Sequence, residues 1–371
     1  MSAPPVVSSE RIAIADPPPA PAPARNKLVR RAKPDQSQRI RHIVQWLFVA
    51  LNLWIGAQFY LWVRYFERGG HSLYVSRPPG VEGWLPIAGL INFKYLLVTG
   101  HVSGIHPAAM FLLIAFLAIS LLLKKSFCSW LCPIGTLSEN LWKLGARFFG
   151  RNFQLPRWAD IPLRGLKYLV LGFFVFIIGS MSAQALAEFM HGPYALVADV
   201  KMLNLFRDMG HTTAIVLLIL VALSLFVRNF WCRYLCPYGA LMGIAAWFSP
   251  VKVRRDRQAC IDCGKCNRAC PSHLPVDQLV QIRSVECTAC MACVASCPAQ
   301  NALQLALPPA ASSTPAARWR RRALGPLAVA ALIAVLFIGT VLFARANNHW
   351  RSHIPRTTYS TLVPRANDLT H

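Results

Sequence analysis

Twelve cysteines could carry chemistry in this sequence, and eight of them lie between Ala259 and Pro298. Cys260, Cys263, Cys266 and Cys270 are separated by two, two and three residues, and Pro271 follows. Cys287, Cys290, Cys293 and Cys297 repeat the spacing and are closed by Pro298. Three thiolates held two residues apart can wrap one face of an iron–sulfur cubane. Structural zinc usually pairs two shorter knuckles across a longer gap, so zinc fits the pattern poorly. In an oxidising compartment twelve cysteines would suggest a disulfide framework, but this spacing points to a reducing one.

The run C-x2-C-x2-C-x3-C-P resembles that of bacterial two-cluster ferredoxins, in which the fourth cysteine ligates the other cluster. The resemblance implies one [4Fe–4S] cluster on Cys260, Cys263, Cys266 and Cys297. It implies a second on Cys287, Cys290, Cys293 and Cys270.

The other four cysteines sit in an internal repeat. Phe127 to Leu137 and Trp231 to Leu241 both read aromatic-Cys-x-aromatic-Leu-Cys-Pro-x-Gly-x-Leu. Cysteines at i and i+4 share one face of a helical turn and can present two thiolates to one metal. If the repeats converge, Cys128, Cys132, Cys232 and Cys236 form a third site, for an iron–sulfur cluster, zinc or soft Cu(I). Buried structural thiols and a dithiol/disulfide pair are the competing readings.

What must position these groups is a membrane protein. The chain is 55% hydrophobic and 15% charged, with mean hydropathy +0.39. Five stretches, 43–63, 107–123, 166–187, 212–227 and 324–343, are apolar and long enough to span a hydrocarbon core as helices, the second and fourth near the short limit. A net charge of +24 would suggest nucleic acid in a soluble chain, but no recognition module accompanies it. Anionic lipid and topology explain the charge instead. With the N-terminus inside, the inner segments carry 8, 8 and 13 Lys and Arg and the outer ones 4, 2 and 4. The asymmetry puts the N-terminus and the cysteine-rich insert in the cytoplasm and the C-terminus outside.

The expected organisation is therefore an α-helical integral membrane protein of about five transmembrane helices, arranged as two tandem hairpin repeats, with an inserted α+β two-cluster ferredoxin-like module. Residues 1–40 read as a disordered basic Pro/Ala-rich tail and 41–250 as the membrane core, each hairpin ending in C-x3-C-P. The module occupies 251–306, a basic linker 307–322, and the fifth helix with a short outer tail 323–371. Two hairpins that both start inside are parallel repeats, with a pseudo-two-fold along the membrane normal. Gly83 to Val98 is too broken to span and reads as an interfacial or re-entrant segment. Leu141 to Phe149 reads as an amphipathic interfacial helix with Ser138 as its N-cap. On the outer side His101, His106, His191 and His211 could serve a quinone/proton site or bis-histidine haem ligation, or could simply border water.

Two C-x3-C-P corners on transmembrane hairpins, followed by two C-x2-C-x2-C-x3-C-P runs, resemble the NapH/NosR-type membrane polyferredoxins over roughly residues 40–345. That superfamily includes relatives involved in cytochrome oxidase assembly. The resemblance implies cytoplasmic-side [4Fe–4S] clusters, residence in the bacterial inner membrane, and electron exchange with the quinone pool or a periplasmic redox partner. The short 64–106 loop leaves no room for the flavin-binding periplasmic domain of the NosR type, so FMN chemistry is not expected. Residues 344–371 form only a tail where the oxidase-assembly relatives carry a globular domain. An electron conduit is the leading expectation; a copper-reducing accessory factor using the corner cysteines and a redox sensor are the alternatives. Whether the chain catalyses a net reaction alone is not legible.

Overall fold

The computed structural model describes residues 28–369 apart from 33, 151 and 309–321. Most of the expected N-terminal tail and the basic linker therefore lie outside the described residues.

Among the described residues three helices are long and apolar enough to cross a membrane: α1 (Ser37–Glu67), the Trp158–Ser180 stretch of a later helix, and Pro326–Ala346 near the C-terminus. The chain reaches the second of these through a 3-10 turn (Pro79–Trp84), α2 (Pro86–Thr99), α3 (Pro107–Leu123), α4 (Ser126–Trp130) and α5 (Pro133–Phe149). Then come α6 (Arg157–Ser180), α7 (Ala183–His191), α8 (Pro193–Leu196), α9 (Ala198–Arg207) and α10 (His211–Phe226). α9 and α10 meet at a 79° bend and are long and apolar enough only when taken together.

α3 is the axis of the fold. It has the bounds expected from sequence, yet at 17 residues it is only about 26 Å long, against a hydrocarbon core of about 30 Å. Its apolar surface faces protein on nearly every side: Ala108, Met110, Leu113, Ala115 and Ile119 are all buried. A helix hydrophobic all round belongs in a core, and α3 packs between α2, the Pro326–Ala346 helix and α11 (Pro237–Trp247). α1 and α6 instead present Trp54 and Phe176 outward, as lipid-facing helices do.

Several boundaries differ from expectation for local reasons. α6 starts before 166 because the charges in its first turns are paired, Asp160 with Arg164 and Arg233. It ends at Ser180 because Met181 is extended and Ser182 caps a new helix, accepting from the Ala185 amide at 3.1 Å. The broken Gly83–Val98 segment becomes a helix from Pro86 onward. Gly89 lets α2 lie against α3, since a Cβ there would sit 2.9 Å from the Ala109 carbonyl oxygen. Lys94 donates to the carbonyls of Ile178, Gly179 and Met181, which the end of α6 leaves without intrahelical partners. Ser138 is not an N-cap: α5 begins at the corner itself, with Cys132 in the N-cap position and Pro133 at N1.

The module opens with β1 (Lys252–Arg255), contains α12 (Lys265–Ala269) and α13 (Ala292–Ser296), and closes with β2 (Leu303–Ala306). β1 and β2 pair antiparallel, Lys252 opposite Ala306. Two expected tails are ordered parts of the fold. Residues 28–31 pair with the loop after Cys297: the Arg31 amide donates to Pro298 at 3.1 Å and the Gln300 amide to Val29 at 2.8 Å. Residues 37–40 belong to α1. Beyond α14 (Pro326–Ala346) lies α15 (Arg356–Leu362), where Tyr359 and Val363 join Phe59, Trp62 and Phe66 of α1 in a second core. The outer tail is thus a packed cap.

Candidate functional site

The two cysteine runs of the module fold alike. In each, the third cysteine lies in a short helix entered through a left-handed residue, Gly264 (φ 67°) or Met291 (φ 57°). The fourth, Cys270 or Cys297, follows in extended conformation. α12 and α13 pack together, which carries each fourth cysteine to the other run. Burial raises the Cys297 thiol, and its neighbouring thiols are Cys260 and Cys263. Burial likewise pushes Cys270 up to about 12, beside Cys290 and Cys287. Cys293 has Cys290, Cys287 and Cys270 as its foremost thiol neighbours, with Cys266 beyond them, and Cys266 lies near Cys297 and Cys260. The chain thus gathers two sets of four thiols, each crossing between runs.

The two corners also share one build. Cys132 and Cys236 are N-cap residues of α5 and α11, each followed by proline at N1. The Gly239 amide points at the Cys236 sulfur from 3.3 Å, and amides of Gly135 and Ile134 serve Cys132 likewise. Helix N-termini favour negative charge, which suits these sulfurs to ligation, although burial outweighs the amides and pushes the Cys132 thiol up to about 12. Gly135 is required here: a Cβ would stand 2.2 Å from the Cys128 carbonyl oxygen. Each corner is pinned by ions. Arg41 pairs with Glu139 at 2.6 Å and donates to the Ser129 carbonyl at 3.2 Å. Arg233 and Tyr234 both hold Asp160, the latter at 2.6 Å.

The structure brings all four corner thiols together: Cys232 has Cys236, Cys132 and Cys128 as its neighbours. They line one cavity of 1260 Å³ that runs up between the helices to Trp84 and Trp350. Among the described residues no three His, Cys, Asp or Glu side chains stand close enough to hold a single metal ion. A cubane holds its thiolates farther apart than a lone ion does, so all three sets of four sulfurs fit [4Fe–4S] ligation in donor type and number.

The module docks directly on the first corner. Trp130 donates to Ala289 at 3.2 Å, Ser129 to Thr288 at 2.6 Å, and Gln38 to the Cys290 carbonyl at 2.9 Å. Below the corner thiols lies a buried charge cluster. Lys167 pairs with Glu286 at 2.6 Å. Burial works against the Lys125 ammonium, but Glu286, Cys128 and Cys236 outweigh it and raise its pKa.

A model described as "4Fe-4S binding domain" matches twice, over residues 105–153 and 209–256, and one described as "4Fe-4S dicluster domain" matches 252–298. The putative electron transport protein YccM of Escherichia coli is 51% identical over 331 residues, 89% of this chain and 91% of the relative. The chain belongs to the NapH/NosR-type membrane polyferredoxins. The ferredoxin-type protein NapH of E. coli is 26% identical to this polyferredoxin, over 70% of this chain and 85% of the relative. The regulatory protein NosR of Pseudomonas aeruginosa is 31% identical over 57% of this chain but only 29% of its own length. No solved structure matches the polyferredoxin.

The four outer histidines are not gathered into one site. His101, His191 and His211 are exposed, whereas His106 is 2% exposed with both ring nitrogens engaged. Its Nδ1 lies 3.2 Å from Arg77 and 3.3 Å from Glu82, and its Nε2 is 2.9 Å from the Ala195 carbonyl. None of the four lines the large cavity. Sequence reading missed Lys125, Lys167 and Glu286 at the corners and Arg77 and Glu82 at the far end. Lys124 and Lys125, directly after an apolar run, look like topogenic charge; only tertiary packing buries them.

Proposed function

We propose that this polyferredoxin relays single electrons between its module and the membrane, with three [4Fe–4S] centres as carriers. Cys260, Cys263, Cys266 and Cys297 hold the first, Cys287, Cys290, Cys293 and Cys270 the second, and the four corner cysteines the third. When bound, the clusters supply one-electron redox chemistry; the chain fixes their order, burial and local charge. The observation carrying this reading is that the module seats the Cys290 end of its second run against the Ser129–Trp130 corner. The corner thiols also open onto a largely apolar cavity of 1260 Å³, suited in size and lining to the ring and tail of a lipophilic quinone. The quinone pool is thus the proposed membrane partner, with a periplasmic redox protein as the other terminus.

In this reading the chain crosses the bacterial inner membrane five times as two tandem hairpins, α3 crossing inside the protein core and away from lipid, with its module cytoplasmic, as the Lys and Arg distribution supports. Metal analysis and EPR of the anaerobically purified chain test it. About twelve irons per chain are expected in the wild type and about eight after Cys128→Ala/Cys232→Ala, from four irons per cluster. Full iron content in a Cys260→Ala/Cys287→Ala variant refutes the assignment of the module.

A further inference from the structure

Two consecutive buried lysines stand where the membrane core meets the module. Lys124, at the end of α3, is fully buried with φ 62° and ψ −170°. That backbone region is nearly restricted to glycine, and strain of this kind collects at functional sites. The sharp turn sends the neighbouring side chains to different targets. Lys124 donates to the carbonyls of Arg283 and Ser284, at 3.2 and 3.0 Å, on the module. Lys125, 3% exposed, reaches the cavity lined by the corner cysteines. Its ammonium forms no hydrogen bond among the described residues. Its charged neighbour there is Glu286, and the thiols of Cys128 and Cys236 lie nearby. Glu286 is already paired with Lys167, so this buried cluster carries one positive charge in excess. That excess faces the corner thiols of Cys128, Cys232 and Cys236.

We propose that Lys125 is the positioning residue that raises the reduction potential of the corner centre. The proposal rests on the reading that the four corner cysteines hold a [4Fe–4S] cluster. A fixed cation beside a cluster stabilises its added electron, and in a buried setting little solvent screens that attraction. The step it favours is a one-electron transfer: a reduced module cluster is oxidised as the corner centre is reduced. Lys125 stays charged throughout, and no proton or bond changes hands.

The test is an EPR-monitored redox titration of the full-length protein in nanodiscs. Lys125→Met and Lys125→Gln should each lower the equilibrium constant for reducing the corner centre at least tenfold, 59 mV for a one-electron couple. Lys125→Arg should restore it. The module signals, unchanged in the same samples, report an intact fold. A corner potential unmoved in Met and Gln variants, or a corner signal missing from both while the module signals persist, overturns the proposal. Failure of the underlying reading looks different: wild type and Cys128→Ala/Cys232→Ala would then carry equal iron and identical spectra.

Discussion

At the end of the molecule away from the corners, Arg77 gathers charge from four parts of the chain, and its removal gives a sharp prediction. Its guanidinium donates to Glu82 at 2.7 Å, to Asp199 at 2.6 and 2.9 Å, and to Ser352 at 3.2 Å. Both carboxylates are wholly buried. Arg77→Leu leaves two buried anions facing His106 alone. Breaking a buried ion pair by deleting one partner costs about 3–5 kcal/mol. At 2–4 °C per kcal/mol, the midpoint in detergent should fall by roughly 10 °C. The loss should appear locally, because Ser352 donates to Glu82 at 2.7 Å and so ties the C-terminal cap to this network. Trypsin should therefore cut after Arg351 and Arg356 much faster in the variant. A midpoint within about 2 °C of wild type, with unchanged cleavage, would refute the reasoning.

The same network sets a pH window. Burial opposes ionisation of Glu82, but Arg77 and His106 win and hold its carboxyl at about 2, below its ordinary 4.5. Its stabilisation is present above pH 4.5 and lost as pH falls toward 2. Burial also opposes the His106 imidazolium, yet Glu82 and Asp199 raise its pKa despite Arg77. Its contribution is present below 6.5 and lost as pH rises through the raised value, so tryptic cleavage of the cap should quicken at both extremes. Gly135→Ala should displace the first corner and lower its iron content, whereas Gly239→Ala, with 3.4 Å to the Cys232 carbonyl oxygen, should keep it; iron analysis decides. Lys167→Met removes a buried partner of Glu286 and should loosen the module by about 3–5 kcal/mol, read as earlier thermal release of module iron. Tyr234→Phe deletes a 2.6 Å bond to Asp160 and should cost about 1.5–3 kcal/mol; an unshifted melting curve counts against it.

Spacing alone made the cysteines legible, because cluster ligation is written in local sequence and each run folds the same way. The bounds of α3 were legible for a similar reason: Pro107 starts it and the apolar run ends at Leu123. That α3 is a core element was not, since a buried helix and a short span have the same composition. The corner glycines and prolines announced a turn, but not that Cys132 and Cys236 would cap the helices beyond it. Least legible were the ionic groups. Asp160, Lys167 and Glu286 find partners far away in the chain, and a sequence pattern carries no record of distant partners. His106 shows the converse: its sequence context suggested a histidine at the water interface, but the fold buries it among Arg77, Glu82 and Asp199.

The pairing of residues 28–31 with the loop after Cys297 has a consequence for how the protein is made. Those residues leave the ribosome well before their partners, which emerge only after the second cysteine run. The N-terminal strap must therefore wait at the membrane surface while α1 through α11 insert. It can settle only once the Cys297 loop has folded, and clusters loaded before then would lie uncovered on that side. Placement of the strap thus marks a finished module, and a chain truncated before Pro298 would leave residues 28–31 without a place to bind.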